Sequence, residues 1–297
     1  MANTNKYVNK CTIVVSSCDA YKPALTPFFT LFKKYYYNCI FDIIVVLENE
    51  KFEFDGLNIK TYNISKNNNI NNLSWSKRQR DALKSISTEY VFWLIEDQFL
   101  IDYVDQNRLF NWIDIMDNDN SIASIASYHY SPKNVLFKNV DDKLYEELEK
   151  RRLISEFKLC VGGNLWRRNR LIYYLGDNES PWEWEAYANF RTFFNPNDKF
   201  YFLKNDVRKV YPFEYEGRVW SPICRGKWYL PACKPIFEKE NIQVNYDELG
   251  ICTDEEMNKK GRGDVKENII IKFLRYSPFK LFISFFSHLK YLNKHHK

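Results

Sequence analysis

Ser76–Leu100 reads SKRQRDALKSISTEYVFWLIEDQFL, and its three successive parts decide the fold. From Ser76 to Ser87, Ala82, Leu83 and Ile86 recur at helical spacing, while Lys77, Arg80, Asp81 and Lys84 fall largely off that face. Tyr90–Ile95 (YVFWLI) is then an unbroken apolar run of strand length, stopped by Glu96, Asp97 and Gln98. A run that is apolar throughout, with no polar alternation, suits a strand covered on both faces by helices. The stretch is therefore a helix and a buried strand that ends in an acidic turn.

The same pattern extends outward. Cys11–Ser17 (CTIVVSS), Phe41–Leu47 (FDIIVVL) and Ser121–Ser127 (SIASIAS) are further buried strands, and Pro23–Lys34 (PALTPFFTLFKK) is a helix after the first of them. The alternation predicts an α/β fold: a Rossmann-like, mostly parallel open sheet flanked by helices, with its ligand crevice beyond the carboxyl ends of the strands. Ser16, Ser17, Cys18, Asp19 and Tyr21 follow the first strand, Glu48, Asn49 and Glu50 the second, and Glu96, Asp97 and Gln98 the third. Carboxylates there suit ribose hydroxyls, a base, or a divalent cation held between phosphates. The plainer alternative is that acidic residues simply terminate strands. Lys66–Asn72 (KNNNINN) reads as a loop, and Asp141–Arg152 (DDKLYEELEKRR) as an exposed charged helix.

Composition narrows the class. With 45% hydrophobic and 18% aromatic residues, the 297-residue chain has material for a full core, which excludes intrinsic disorder. Seven cysteines form no C-x-x-C pair and have no histidine at ligand spacing, which argues against structural zinc or a disulfide framework and for a reducing compartment. The N-terminal residues are polar and the apolar run after them is too short for a signal peptide, so the expected location is the cytoplasm. Of the net +5 charge, most sits at the end: Val265–Lys297 carries seven Lys or Arg against one Glu. The domain itself is close to neutral, and nucleic acid is not an expected partner. A composition shift at Gly261–Gly263 divides a domain over residues 1–260 from a tail over 261–297.

Thr88–Glu89–Tyr90 leading through an apolar strand into Leu94–Phe99 (LIEDQF) resembles the inverting glycosyltransferases of the GT-A type, in which such a strand ends in a D-x-D metal motif. The resemblance places Asp97 on the second aspartate and Glu96 in the middle; Ile95 stands where the first aspartate belongs. It implies a nucleotide-sugar donor, linked to UDP, GDP or CMP, bound by Ser17, Asp19, Tyr21, Glu48, Glu96 and Asp97. Asp97 would be the metal ligand if Mn²⁺ or Mg²⁺ takes part, and the departure at Ile95 bears on that dependence. Arg78 and Arg80, at the start of the helix, would face the diphosphate; a solvated helix face is the alternative.

The second half supplies the acceptor side of the resemblance. In the superfamily a Gly-containing strand end leads to a helix with paired Arg, then to an acidic motif carrying the base, with an Arg six residues beyond it. Here Val161–Arg168 (VGGNLWRR) is followed by Gly176–Ser180 (GDNES) and Pro181–Arg191 (PWEWEAYANFR). Counting back from Arg191 gives Glu185 as the implied catalytic base and Glu183 as its alternate. Gly163 would let backbone approach the acceptor, and Trp182 and Trp184 would wall it. Ser180, Pro181 and the glutamates also make an ordinary helix start. Arg225 and Lys227, in Arg225–Trp228 (RGKW), would neutralise the leaving group; His129 reads as structural. One carboxylate base suffices for such a transfer, whereas a glycoside hydrolase needs two opposed carboxyls.

The pattern is similar to small bacterial transferases of capsule and O-antigen biosynthesis, which implies a glycan or lipid-linked acceptor. Ile269–Leu292 is apolar but interrupted by Lys272, Arg275, Lys280 and Lys290, too broken to span a bilayer and suited to lying on an anionic membrane surface. Packing onto the domain or a partner is the competing reading. A sugar nucleotidyltransferase and a non-catalytic carbohydrate-binding or scaffold protein on the same fold remain alternatives; the missing first aspartate favours the last.

Overall fold

The computed structural model describes residues 5–63, 73–129, 140–141, 144–152, 158–213 and 221–258, with positions 286 and 289 of the tail. Among these residues nine strands form one sheet in the order β3-β2-β1-β4-β8-β5-β9-β7-β6. They are β1 (Cys11–Ser16), β2 (Asp42–Leu47), β3 (Ile59–Asn63), β4 (Tyr90–Ile95), β5 (Ile122–His129), β6 (Val140–Asp141), β7 (Leu148–Lys150), β8 (Asn164–Arg167) and β9 (Lys199–Leu203). Only β7 and β8 run against the rest. The fold is thus α/β, with a mostly parallel open sheet between helices.

Alternate residues of one strand feed opposite layers, which is why the central runs are apolar throughout. Ile13 and Val15 of β1, with Phe92 and Leu94 of β4, join one core cluster; Val14, Val91 and Trp93 join the other. The first is covered by α2 (Lys22–Tyr35), α4 (Gln106–Asn118) and α7 (Leu230–Lys239) through Phe28, Phe29, Phe32, Trp112, Ile113 and Phe237. The second is covered by α3 (Trp75–Lys84), α5 (Arg168–Tyr174) and α6 (Pro181–Arg191) through Ala82, Leu83, Leu171, Trp184 and Ala188. α1 (Asn5–Val8) and α8 (Asp254–Asn258) are short peripheral helices. Each fully buried Phe or Leu contributes ~1.5–3 kcal/mol of burial free energy.

One expectation is corrected. The described part of Asp141–Arg152 holds strand and turn, not charged helix: β6 pairs with β7, and β7 pairs with β9 through Leu148–Leu203, Glu149–Phe202 and Lys150–Tyr201. Leu148 is buried on the sheet, so the open edge of β9 overrides local helix propensity. The Lys66–Asn72 loop, the Gly261–Gly263 linker and nearly all of the tail lie outside the described residues. Among the described residues no helix is long and apolar enough to cross a membrane.

Candidate functional site

The chain adds β2 and β3 on one side of β1 and then crosses to place β4 on the other. Such a reversal leaves a crevice at the carboxyl ends of the two central strands. Ser16 pairs with Ile95, so the loops leaving β1 and β4 start side by side. They carry Ser17, Cys18, Asp19 and Tyr21 on one side and Glu96, Asp97 and Gln98 on the other.

The β1 loop is fastened to the β2 loop by Asp19. Its carboxylate accepts from the backbone N–H groups of Glu48 at 3.0 Å, Asn49 at 3.0 Å and Glu50 at 3.3 Å, and from the Asn49 amide at 3.2 Å. Glu48 in turn accepts from the Asp19 backbone N–H and forms an ion pair with Arg78. Arg78 projects from the first turns of α3, whose N-terminus is capped by Ser74. Its guanidinium is largely enclosed, and burial lowers its pKa while Cys18 and Asp19 pull upward. Asp19 and Glu48 therefore shape the crevice and hold Arg78 in it, instead of presenting free carboxylates.

Glu96 and Asp97 form its acidic floor. Burial raises both carboxyls above the usual range, and for Glu96 the adjacent Asp97 charge adds to it. Two like charges this close lose protons as a pair. The Ser17 hydroxyl, buried and without another hydrogen-bond partner among the described residues, works against the rise at Glu96, and the Ser221 hydroxyl donates to Asp97. Ser221 precedes a hairpin of β10 (Ile223–Cys224) and β11 (Lys227–Trp228) whose turn, Arg225–Gly226, has φ of 53° and 81°. A β-carbon at position 226 would stand 3.6 Å from the Tyr21 hydroxyl, so this turn lies against the β1 loop and brings Arg225 beside the crevice. Lys227 is drawn elsewhere, pairing with Glu256 at 2.8 Å.

The second wall is the Gly162–Gly163 turn before β8. Both glycines have positive φ, 80° and 63°, and both are closely packed. A β-carbon at 162 would fall 2.5 Å from the Gln98 amide oxygen, and one at 163 would fall 3.0 Å from Phe213 and 3.2 Å from the Ser127 hydroxyl. The turn thus rests directly on the residue that follows the acidic pair. One residue earlier, the Val161 backbone N–H donates to the Glu185 carboxylate at 2.9 Å. A continuous path, Asp97–Gln98–Gly162–Val161–Glu185, joins the acidic floor to the candidate base.

Three further expected site residues are corrected by their packing. Arg80 turns inward from α3 to Asp177 and the Leu175 carbonyl and is 5% exposed, so it fastens helices and does not face the crevice. Trp184 is fully buried among Trp75, Trp93 and Trp166, and its indole N–H donates to the Tyr174 carbonyl at 2.9 Å; it is core, not an acceptor wall. Glu183 closes a capping box with Ser180, accepting from that residue's backbone N–H and hydroxyl, both at 2.9 Å. That engagement leaves Glu185 as the carboxylate facing the glycine turn. Trp182, by contrast, is 51% exposed one turn from Glu185. Arg191 is also structural: it meets Glu179 with two hydrogen bonds of 2.6 and 2.7 Å, both side chains buried. His129 meets the Val207 carbonyl at 2.6 Å. Sequence reasoning passed over Ser221, for which no spacing signal exists, and the bridging place of Gln98, visible only as the third polar residue of the turn.

A second concavity of about 490 Å³ opens at the opposite end of the sheet, where Arg167 and Arg170 face Glu89 and Asn120.

No family model matches the sequence, and no curated protein matches it. Solved structures that resemble it include S. aureus TarS, residues 1–349, in complex with UDP-GlcNAc, at 14% identity and a TM-score of 0.42 over 70% of this chain and 60% of that one. Glucosyl-3-phosphoglycerate synthase from Mycobacterium tuberculosis, in complex with Mn²⁺ and UDP-glucose, is 10% identical with a TM-score of 0.39, over 64% of this chain and 66% of that one. The bifunctional IspDF from Campylobacter jejuni is 13% identical with a TM-score of 0.38, over 68% and 52% respectively. The chain spans about 60% of the length of the TarS fragment. At these levels of similarity the fold class rests on this chain's own topology.

Proposed function

We propose that this chain is a GT-A type glycosyltransferase that moves a sugar from a UDP-, GDP- or CMP-linked donor to a hydroxyl of a glycan or lipid-linked acceptor, with inversion at the anomeric carbon. The observation that carries the reading is the continuity of the two walls: an acidic pair and Arg78 at the β1/β4 crevice, joined through Gln98 and Gly162 to Glu185. Arg78 and Arg225 supply positive charge for the donor phosphates, and guanidinium geometry suits phosphate oxygens. Glu185 takes the proton of the acceptor hydroxyl as its oxygen bonds to the anomeric carbon, and the bond from that carbon to the phosphate breaks on the opposite face. The leaving phosphate keeps the electron pair, so it needs stabilised charge more than a proton.

A divalent cation fits the acidic floor. Mg²⁺ is commonly held by one or two carboxylates together with substrate phosphates, and Asp97 with Glu96 offers two adjacent hard oxygen donors. Among the described residues no three His, Cys, Asp or Glu side chains gather to hold a metal without substrate. Mn²⁺ or Mg²⁺ there would neutralise donor phosphate charge. Work on a bacterial surface polysaccharide, and contact of the basic tail with the inner face of the cell membrane, belong to the same proposal; they draw on the resemblance of the motifs and on the tail sequence.

Calorimetric titration with UDP, GDP and CMP, each with Mg²⁺, with Mn²⁺ and with EDTA, tests the donor site. One nucleotide is expected to bind more tightly with a cation, and Arg78→Met to weaken it at least tenfold. No binding of any of the three in any condition contradicts the reading.

A further inference from the structure

The outward face of α6 runs away from Glu185 and carries two exposed rings with a half-buried one between them. Trp182 lies one turn before Glu185 and is 51% exposed; Phe193, just past the helix end, is 42% exposed and stacks with Phe190 at 6.4 Å between ring centroids. Residues 182, 186 and 190 fall on one face of the helix, with the small Ala186 between the rings, and the turn after it carries Phe193 on from Phe190. At 1.5 Å per residue the row spans about 16 Å. Its far end meets the second concavity, where Asn195 follows the rings and Asn169, Arg170 and Tyr173 complete that side of the lining.

We propose that this face and the concavity form one track for an extended, uncharged glycan chain whose end is presented to Glu185. The inference rests on the glycosyltransferase reading and specifies the acceptor as an oligosaccharide in place of a single small sugar. Three features point to that occupant. The exposed rings of Trp182 and Phe193 offer flat apolar platforms for pyranose faces. The asparagine amides at the far end both donate and accept, which matches hydroxyl groups that do the same. The guanidinium charges there are balanced, Arg170 pairing with Asp198 at 3.3 Å and Arg167 with Glu89, so the concavity favours a neutral chain over a polyanion.

The test is saturation-transfer NMR on the full chain with two ladders, β-1,4-linked N-acetylglucosamine and α-1,4-linked glucose, each of one, three and six residues. In at least one ladder, affinity is expected to rise tenfold or more from monosaccharide to hexasaccharide. Trp182→Ala and Phe193→Ala should each lower hexasaccharide affinity at least fivefold with unchanged thermal midpoints, and Asn169→Ala should weaken the hexasaccharide but not the trisaccharide. Absence of length dependence in both ladders, or full hexasaccharide affinity in both ring variants, overturns the track. Nucleotide binding measured on the same samples separates the two ideas: if it persists when the track fails, the donor reading stands, and if it is missing while the track binds, that reading falls.

Discussion

Asp19 exemplifies how a carboxylate in a binding crevice can act by building it. Both of its oxygens are taken by backbone N–H groups of the β2 loop, and hydrogen bonds to a charged acceptor contribute ~1.5–3 kcal/mol each. Asp19→Ala is expected to cost about 2–4 kcal/mol in urea unfolding and to weaken nucleotide binding by releasing Glu48 and Arg78; unchanged stability would show that the loop holds itself. Lys158 shows the opposite balance. It is 3% exposed, lies 4.9 Å from the Phe200 ring centroid, and burial lowers its pKa to about 8. The unfolded chain keeps that proton to about 10.4, so the charged form penalises the fold below pH 8 and the penalty is relieved as pH rises toward 10. Lys158→Met should therefore be as stable as the parent or more so at pH 7, by on the order of 1–3 kcal/mol, and should lose the rise in stability between pH 8 and 10. Chemical denaturation across that range checks it; a rise retained in the variant assigns it to other groups.

At the scale of elements, two arginines hold the helices on one face of the sheet. Arg80 ties α3 to the loop after α5, and Arg191 ties the end of α6 to Glu179 and the Tyr174 carbonyl. Breaking a buried ion pair by removing one charge costs ~3–5 kcal/mol. Glu179→Gln is expected to show a loss of that size in thermal or urea unfolding, with the nucleotide affinity of the folded fraction unchanged; a loss below about 1 kcal/mol would mean the guanidinium finds other partners. These same residues show what periodicity reveals and what it hides. The runs at 11–17, 41–47, 90–95 and 121–127 announced their strands because burial on both faces demands apolar residues at every position. β3 and β9 went unnoticed, and β7 read as helix: polar residues in Ile59–Asn63 and Leu148–Lys150 make weak patterns, and β7 finds its partner β9 only far along the chain, Leu148 pairing with Leu203. Arg80 and Trp184 misled for a related reason. An arginine near a helix start and a tryptophan near a glutamate look the same in sequence whether they face a ligand or the interior.

For the whole molecule, the topology brings three sets of loop residues to one crevice, and that convergence was legible because parallel strands all deliver their carboxyl ends to the same side. The link between the two walls was not. It depends on Gly162 leaving room for the Gln98 side chain where any β-carbon would collide, a contact across 64 positions of sequence that no local pattern encodes. In the proposed reaction this linked crevice transfers sugars with Glu185 as base. The most direct measurement is release of free nucleotide from a panel of UDP-, GDP- and CMP-sugars, in the presence of Mg²⁺ or Mn²⁺, by the parent chain and by Glu185→Gln. Release from at least one donor by the parent is expected, with a decrease of a hundredfold or more in the variant, in the range of loss of a general base, and equal nucleotide binding by both proteins. Undiminished release by Glu185→Gln, or no release from any donor by the parent, would contradict it.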